Sequence, residues 1–116
     1  MNRRWRFYRT AAGRTPVQEF LRSLSVSDRT AIAAAMADVR LEGLHAARHL
    51  RGDIWEVRAA GDRQAFRILF APEGRRSQVL LALEAFSKKT QRTPPHALRL
   101  AEGRLADWRA RGQSHT

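Results

Sequence analysis

The sequence predicts an α+β fold with a small antiparallel sheet, in which one strand and two helices precede a three-strand meander and a C-terminal helix follows. Three observations predict this order. Proline and glycine signals mark helix ends, short apolar runs mark the strands, and compact polar turns separate the last three strands. The 116 residues suit a single domain, 1–116, with a flexible tail expected over 112–116.

The first half of the chain predicts one strand and two helices. Trp5 to Tyr8 is a short aromatic run that is typical of a strand. Thr15-Pro16-Val17-Gln18 offers a capping hydroxyl, a proline at the first helical position and a glutamine that reaches back as in a capping box. A second helix is expected from about Asp28 to Glu42 and should end near Gly43.

The second half predicts the meander and the last helix. Runs rich in Val, Ile, Leu and Phe occupy 54–59, 65–71 and 78–86, and turn sequences of Gly, Asp, Pro and Arg separate them. This spacing favours an antiparallel arrangement. From Thr93 a third helix is expected, because apolar residues recur at helical spacing along one side. Those residues are Leu98, Ala101, Leu105 and Trp108.

Charge points to a polyanionic partner. Lys and Arg number 22 against 11 acidic residues, which gives a formal charge of +11 in a 13.2 kDa chain. A field of this sign attracts nucleic acid. Solubility, or a general bias toward arginine, would explain the same charge, and the same field would also attract an acidic protein partner. Charge therefore cannot choose between RNA, DNA and protein.

The sequence argues against a membrane span, disulfides and a metal site. No apolar run of 18 residues is present and no apolar segment follows the basic N-terminus, so we expect a cytoplasmic protein without a membrane span. The absence of cysteine excludes disulfides and thiolate ligands. His45 and His49 lie four residues apart but have no third ligand nearby, so we expect no metal and no cofactor.

The two lysines of the chain stand side by side at Lys88 and Lys89, and the other basic residues are all arginine. They follow an apolar strand and precede the expected start of the last helix. Lysine differs from arginine because its ammonium is compact and its pKa can fall on burial. A solvated charged turn is the simpler interpretation of such a run.

Alternation along the meander strands places residues on two faces, since side chains at i and i+2 share a face. One face is expected to be apolar, with Trp55, Val57 and alternate residues of the next two strands, including Leu81 and Leu83. The opposite face is expected to gather cations, one aromatic ring and one carboxylate. Its expected members are Arg58, Arg67, Glu84, Phe86 and Lys88. Cations hold phosphates and a ring stacks on an unstacked base, so this set suits RNA.

These segments carry a family resemblance. Residues 51–58 (RGDIWEVR), residues 66–70 (FRILF) and residues 86–94 (FSKKTQRTP) together resemble the HigB toxins of the phage Gp49-like branch of the RelE/ParE superfamily. The resemblance extends from Tyr8 to about Arg109. It implies a RelE-like fold and the toxin of a type II toxin-antitoxin pair, acting as a ribosome-dependent mRNA endonuclease. It also implies a helix-turn-helix antitoxin (HigA-like) as partner, with operator DNA contacted only through that antitoxin.

The resemblance carries over to five positions, Arg58, Arg67, Phe86, Lys88 and Lys89. Many relatives have histidine where this chain has Glu84, so a histidine acid or base is not expected. RNA binding is expected from Phe86, together with Arg63 and Arg92. The superfamily also contains gyrase poisons on the same fold, and a basic RNA-binding module without catalytic activity is a further alternative.

The chemistry of RNA cleavage assigns roles to this set. Attack by the 2'-OH needs a base, cations on the phosphate and an acid for the leaving oxygen. Arg58 and Arg67 supply only charge and hydrogen bonds, because a guanidinium does not release its proton in proteins. Lys88, Lys89 and Glu84 are the candidates for proton transfer, because adjacent ammoniums and partial burial lower a lysine pKa.

Overall fold

A computed structural model describes residues 2–88 and 92–112 of the chain. Within these ranges the helices and strands follow the order expected from the sequence, with one strand added before the meander. The elements are β1 (Arg4–Phe7), α1 (Pro16–Arg22), α2 (Val26–Glu42), β2 (Arg48–Arg51), β3 (Ile54–Ala60), β4 (Ala65–Glu73), β5 (Val79–Lys88) and α3 (Pro95–Ala110).

The strands form one sheet of five in the order β1-β5-β4-β3-β2. The α+β class, the antiparallel meander and the C-terminal helix are confirmed. The sheet is mixed, because β1 runs parallel to β5 while the other pairs are antiparallel. Strand β2 was not predicted, since Arg48-His49-Leu50-Arg51 has a single apolar residue and pairs with β3 only through the tight turn at Gly52, whose φ is +53°.

Local signals set the helix ends. Helix α2 starts at Val26, earlier than expected, because Oγ of Ser25 accepts a 3.1 Å hydrogen bond from the Asp28 amide, and it ends at Glu42 as expected before Gly43. Pro16 opens α1. The prediction that the Thr15 hydroxyl caps α1 is wrong, because the side chain of Thr15 makes no cap hydrogen bond.

Helices cover both faces of the sheet. Helices α1 and α2 pack on one face around Phe66, Ile68 and Phe70 of β4, with Ile32, Met36 and Val39 on α2. Helix α3 packs on the other face and buries Ala101, Leu105 and Trp108 against neighbouring side chains of the sheet. The sheet residues beneath α3 are Ile54, Leu69, Ala71, Leu81 and Leu83.

A β-bulge in β5 corrects the expected division of its side chains. Glu84 lies opposite Leu69, but the next pair is Ala82 with Phe70, so Leu83 is an extra residue in the ladder. The extra residue reverses the alternation, and Leu81 and Leu83 therefore share the α3 face with Phe86. The prediction that these leucines oppose Phe86 is wrong.

Ion pairs and hydrogen bonds hold α3 over one end of the sheet face that it covers. The Tyr8 hydroxyl donates a 2.6 Å hydrogen bond to Asp107, and the Arg109 guanidinium lies 2.7 Å from the Glu73 carboxylate. The rest of the face, toward the end of β5, is left for a polar cluster. No helix in the described ranges is long and apolar enough to cross a bilayer.

Candidate functional site

Cross-strand pairing brings four of the expected site residues together on the α3 face. Arg58 of β3 lies opposite Arg67 of β4, and Arg67 lies opposite Phe86 of β5. Two residues further along β5, on the same face, Lys88 lies opposite Ala65. Side chains paired in this way have Cβ atoms about 5 Å apart. The sequence-based grouping of Arg58, Arg67, Phe86 and Lys88 therefore corresponds to one patch of the surface.

A buried carboxylate, that of Glu56, organises this patch. Its side chain is fully buried, and Oε1 accepts hydrogen bonds from Nε of Arg58 at 3.2 Å and from a terminal nitrogen of Arg67 at 3.0 Å. Its other oxygen, Oε2, accepts a 2.6 Å hydrogen bond from the hydroxyl of Thr93. One carboxylate thus connects two strands to the residues that precede α3.

The environment keeps Glu56 ionised. Burial is the largest single influence on its pKa and acts to raise it, because a carboxylate loses hydration inside the protein. The hydrogen bonds from Thr93 and Arg58 and the charge of Arg67 act in the opposite sense and together prevail. The pKa of Glu56 is therefore lowered from its ordinary value, and the carboxylate, ionised at neutral pH, holds the arginines in place.

The arginine pair is electrostatically costly. Like charges directly opposite one another on a sheet are destabilising, and Arg67 is only 4% exposed while the side chain of Arg58 is 42% exposed. Glu56 offsets one positive charge of the pair. The side chain of Arg58 therefore reaches the solvent, while Arg67 lies beneath the surface.

Lys88 adds a further buried cation. It is 6% exposed, and within the described part of the chain its Nζ atom is buried without a hydrogen-bond acceptor. Burial lowers the pKa of Lys88, and the positive charge of Arg67 lowers it further, while the Glu56 carboxylate acts in the opposite sense. A buried ammonium that lacks an acceptor favours either an anion beside it or loss of its proton.

Glu84 lies near this cluster but points to a different partner. It belongs to the same cross-strand row as Glu56, with Leu69 between them, so the two carboxylate-bearing residues are about 10 Å apart. Oε1 of Glu84 lies 3.3 Å from a guanidinium nitrogen of Arg104 on α3, which also donates to the carbonyl of Leu83 at 2.7 Å. Glu84 therefore helps to hold α3 to the sheet.

The remaining expected residues surround the cluster. Phe86 is partly buried, beside Arg67 and against the core beneath α3. Arg63 is exposed in the hairpin between β3 and β4, which is held to α2 by a 3.1 Å hydrogen bond from the Asp62 amide to Asp28. Arg92 is exposed just before α3. Lys89 lies outside the described residues, as does most of the expected tail.

Three further residues lie at the site and were not identified from the sequence. Glu56 lies two residues from Arg58 on the same strand, and this spacing is the signal that could have identified it. Thr93 is the expected start of the third helix. Arg48 lies directly opposite Glu56 on β2, is exposed, and contributes to lowering the pKa of Lys88. Its strand was not predicted, so no sequence signal placed it here.

The cluster suits an anion better than a cation. Three arginines and one lysine, namely Arg48, Arg58, Arg67 and Lys88, surround the single carboxylate of Glu56. Among residues 2–88 and 92–112, no group of three or more histidine and acidic residues could hold a metal ion. His45 and His49 lie in different elements, and His49 instead packs on Trp55 with ring centroids 5.0 Å apart. The arrangement can bind a phosphate and provides, in Lys88, a group able to exchange a proton.

Comparison with known proteins identifies a family. The pattern of the phage-derived protein Gp49-like family (DUF891) matches residues 19–106, which contain the end of α1, all of α2, strands β2 to β5 and most of α3. No curated protein matches the sequence. The matched part includes Glu56, Arg58, Arg67, Lys88 and Thr93. Since the match covers most of the chain, this protein belongs to the Gp49-like family of RelE/HigB-like toxins.

Proposed function

We propose that this protein is a toxin that cleaves messenger RNA on the ribosome, and that the partner implied by its family is a helix-turn-helix antitoxin. One observation carries the proposal. Arg58 and Arg67 lie directly opposite each other and share the Glu56 carboxylate, and Lys88 lies buried on the same face. A group of cations held at this electrostatic cost is better explained by an anionic ligand than by folding.

The geometry supports distinct roles for these residues. Arg58 is exposed and contacts the phosphate, while Arg67 stabilises the charge that develops on it during attack by the 2'-OH. Glu56 is a positioning residue, since its carboxylate is buried and fully bonded. Lys88 exchanges a proton with the reacting oxygens, because its pKa is lowered toward the range in which an amine acts as base or acid. Phe86 provides a ring on which a base stacks.

The contacts of the two nearby carboxylates support ribosome dependence. In the described ranges, the buried carboxylate of Glu56 is fully bonded and Glu84 is paired with Arg104, so neither is poised as a second proton-transfer group. An unassisted ribonuclease needs both a base and an acid. On the ribosome, the message is held in place, and positioning alone lowers the barrier.

The test compares naked mRNA with the same mRNA on programmed ribosomes, with cut sites mapped by primer extension. We expect cleavage only on ribosomes. Arg58→Ala and Arg67→Ala should each reduce the rate by about 10²–10³, whereas Arg40→Ala, an exposed arginine on α2, should leave it unchanged. Equal cutting of naked RNA would refute ribosome dependence. If neither RNA is cut and purified gyrase is inhibited instead, the gyrase-directed alternative replaces the proposal.

A further inference from the structure

A second group of basic residues lies at the β1 edge of the sheet. Strand β1 is an outer strand and, among residues 2–88 and 92–112, pairs only with β5. The amides of Arg4 and Tyr8 donate to carbonyls on the β5 side, at 2.9 and 3.0 Å. In a parallel ladder alternate residues bond to the same neighbour, so the N–H and C=O groups of Trp5 and Phe7 point to the open edge.

A cleft lies along this open edge. It has a volume of about 280 Å³ and its walls include Trp5, Phe7, Gln18 of α1 and Trp108 of α3. An occupant of the cleft that brings backbone carbonyl oxygens would supply acceptors to the outward amides of β1.

Arginines flank the cleft. Arg6 and Arg9 are among its lining residues, and Arg4 is exposed at the start of β1. The Arg6 guanidinium stacks over the Trp108 ring at 5.1 Å from its centroid. An exposed strand edge invites pairing by another chain, and proteins commonly block such edges with lysine, proline or a bulge. β1 has neither proline nor a bulge, and its arginines repel a second copy of this basic chain while they favour an acidic strand.

We propose that β1 is a docking edge for an extended, acidic segment of a protein partner, which adds to the sheet as a sixth strand. The antitoxin implied by the family is the natural source of this segment. A peptide is favoured over RNA, because a row of outward N–H and C=O groups pairs with another peptide backbone. The partner's acidic side chains lie against Arg4, Arg6 and Arg9.

This edge is separate from the candidate catalytic cluster. β1 pairs with β5 over Val79 to Ala82, whereas Phe86 and Lys88 lie further along β5, about 13 Å and about 20 Å beyond Ala82. A strand docked on β1 therefore leaves Arg58 and Lys88 uncovered. The inference depends on family membership for the source of the segment and is independent of whether the protein cleaves RNA.

The experiment measures binding of short synthetic peptides that alternate glutamate and valine, by calorimetry and without RNA. Two versions carry N-methyl groups on opposite sets of alternate residues. We expect one version to lose about tenfold or more in affinity, because its methylated amides face β1, and the other to bind as the unmodified peptide does. Equal binding of both versions would show that charge alone is responsible and would overturn the proposal, as would failure of the unmodified peptide to bind.

Charge-reversal variants provide the matched control. Arg4→Glu should weaken binding by about tenfold, whereas Arg29→Glu, which makes the same change on α2, should not. A measurement on the unaltered protein guards against misfolding of the variant: on peptide binding, the amide protons of Trp5 and Phe7 should become protected from exchange. Protection elsewhere, or displacement of the peptide by a single-stranded oligonucleotide that protects these same amides, would overturn the proposal.

Discussion

The hydroxyl of Thr93 donates a 2.6 Å hydrogen bond to Oε2 of Glu56, although 37 positions separate the two residues. This contact connects the residues before α3 to the middle of β3. Since Lys88 ends β5 on the same face, both ends of the segment from Lys88 to Thr93 lie at the candidate site.

Replacing Thr93 with valine tests this connection. Valine keeps the branched shape and removes the donor, so Glu56 loses one of its hydrogen bonds. We expect the free energy of unfolding to fall by about 1–2 kcal/mol, since hydrogen bonds to buried charges are among the stronger ones. Cleavage on ribosomes should fall by about tenfold while the protein remains folded. Thr93→Ser restores the donor and should restore both properties; a Val variant with unchanged cleavage would show that the contact is only structural.

Acid stability reports on Glu56. Its pKa is lower in the folded protein than in the unfolded chain, so the stabilisation it provides is complete above the unfolded pKa, about 4.3, and is lost as the pH falls through the folded value. Glu56→Gln should therefore be less stable than the unaltered protein at pH 7, and the two should converge in acid. Chemical denaturation between pH 7 and pH 3 measures this difference. Glu42→Gln, at an exposed site, is the control, and a gap that does not narrow in acid would contradict the interpretation.

Much of the fold was predictable because local signals were strong. Pro16, Gly43 and the two hairpin turns mark element ends, and the runs of branched residues mark β3, β4 and β5. Two features were not predictable. Strand β2 has no apolar pattern and exists because β3 offers it a partner, and the bulge at Leu83 arises from pairing between strands that no single run of sequence contains.

The part of the candidate site that lies on the strands was predictable from strand alternation. Arg58, Arg67, Phe86 and Lys88 share a face because of the two-residue period of each strand and the register of neighbouring strands. Glu84 shares that face as well, but Arg104 on α3 draws its carboxylate away, and the packing of α3 cannot be deduced from strand periodicity. The central role of Glu56 depends on Thr93, a contact between distant parts of the chain.

Arg48 is expected to bind the message without taking part in the chemistry. It is exposed at the outer strand β2, directly opposite Glu56. A contact to a flanking phosphate contributes equally to substrate and transition state, so Arg48→Ala should raise KM several-fold and leave kcat nearly unchanged. The salt dependence of binding should also weaken by about one charge. Arg99→Ala, an exposed arginine on α3, should change neither constant; a fall in kcat for Arg48→Ala would instead place it at the reacting phosphate.

Lys88 should limit stability in return for activity. Its buried ammonium lacks an acceptor in the described part of the chain, and burial lowers its pKa. Folding therefore carries a penalty that is complete below the folded pKa and disappears as the pH rises past the unfolded value, about 10.4. Lys88→Met preserves side-chain length and removes the charge, so we expect it to raise the free energy of unfolding by about 1 kcal/mol at pH 7 and to gain less at pH 10.

The same substitution should abolish cleavage on ribosomes, because it removes the group proposed to exchange a proton. Lys88→Arg separates charge from proton transfer, since arginine keeps the charge at all accessible pH values. We expect Lys88→Arg to bind programmed ribosomes as the unaltered protein does and to cleave at least 100-fold more slowly, within the range that general acid–base catalysis contributes, about 10²–10⁴. Denaturant titrations and single-turnover cleavage measure the two effects separately. A fully active Lys88→Arg variant would show that Lys88 acts only as a positive charge, and a destabilised Lys88→Met variant would show that its ammonium is satisfied in the folded protein.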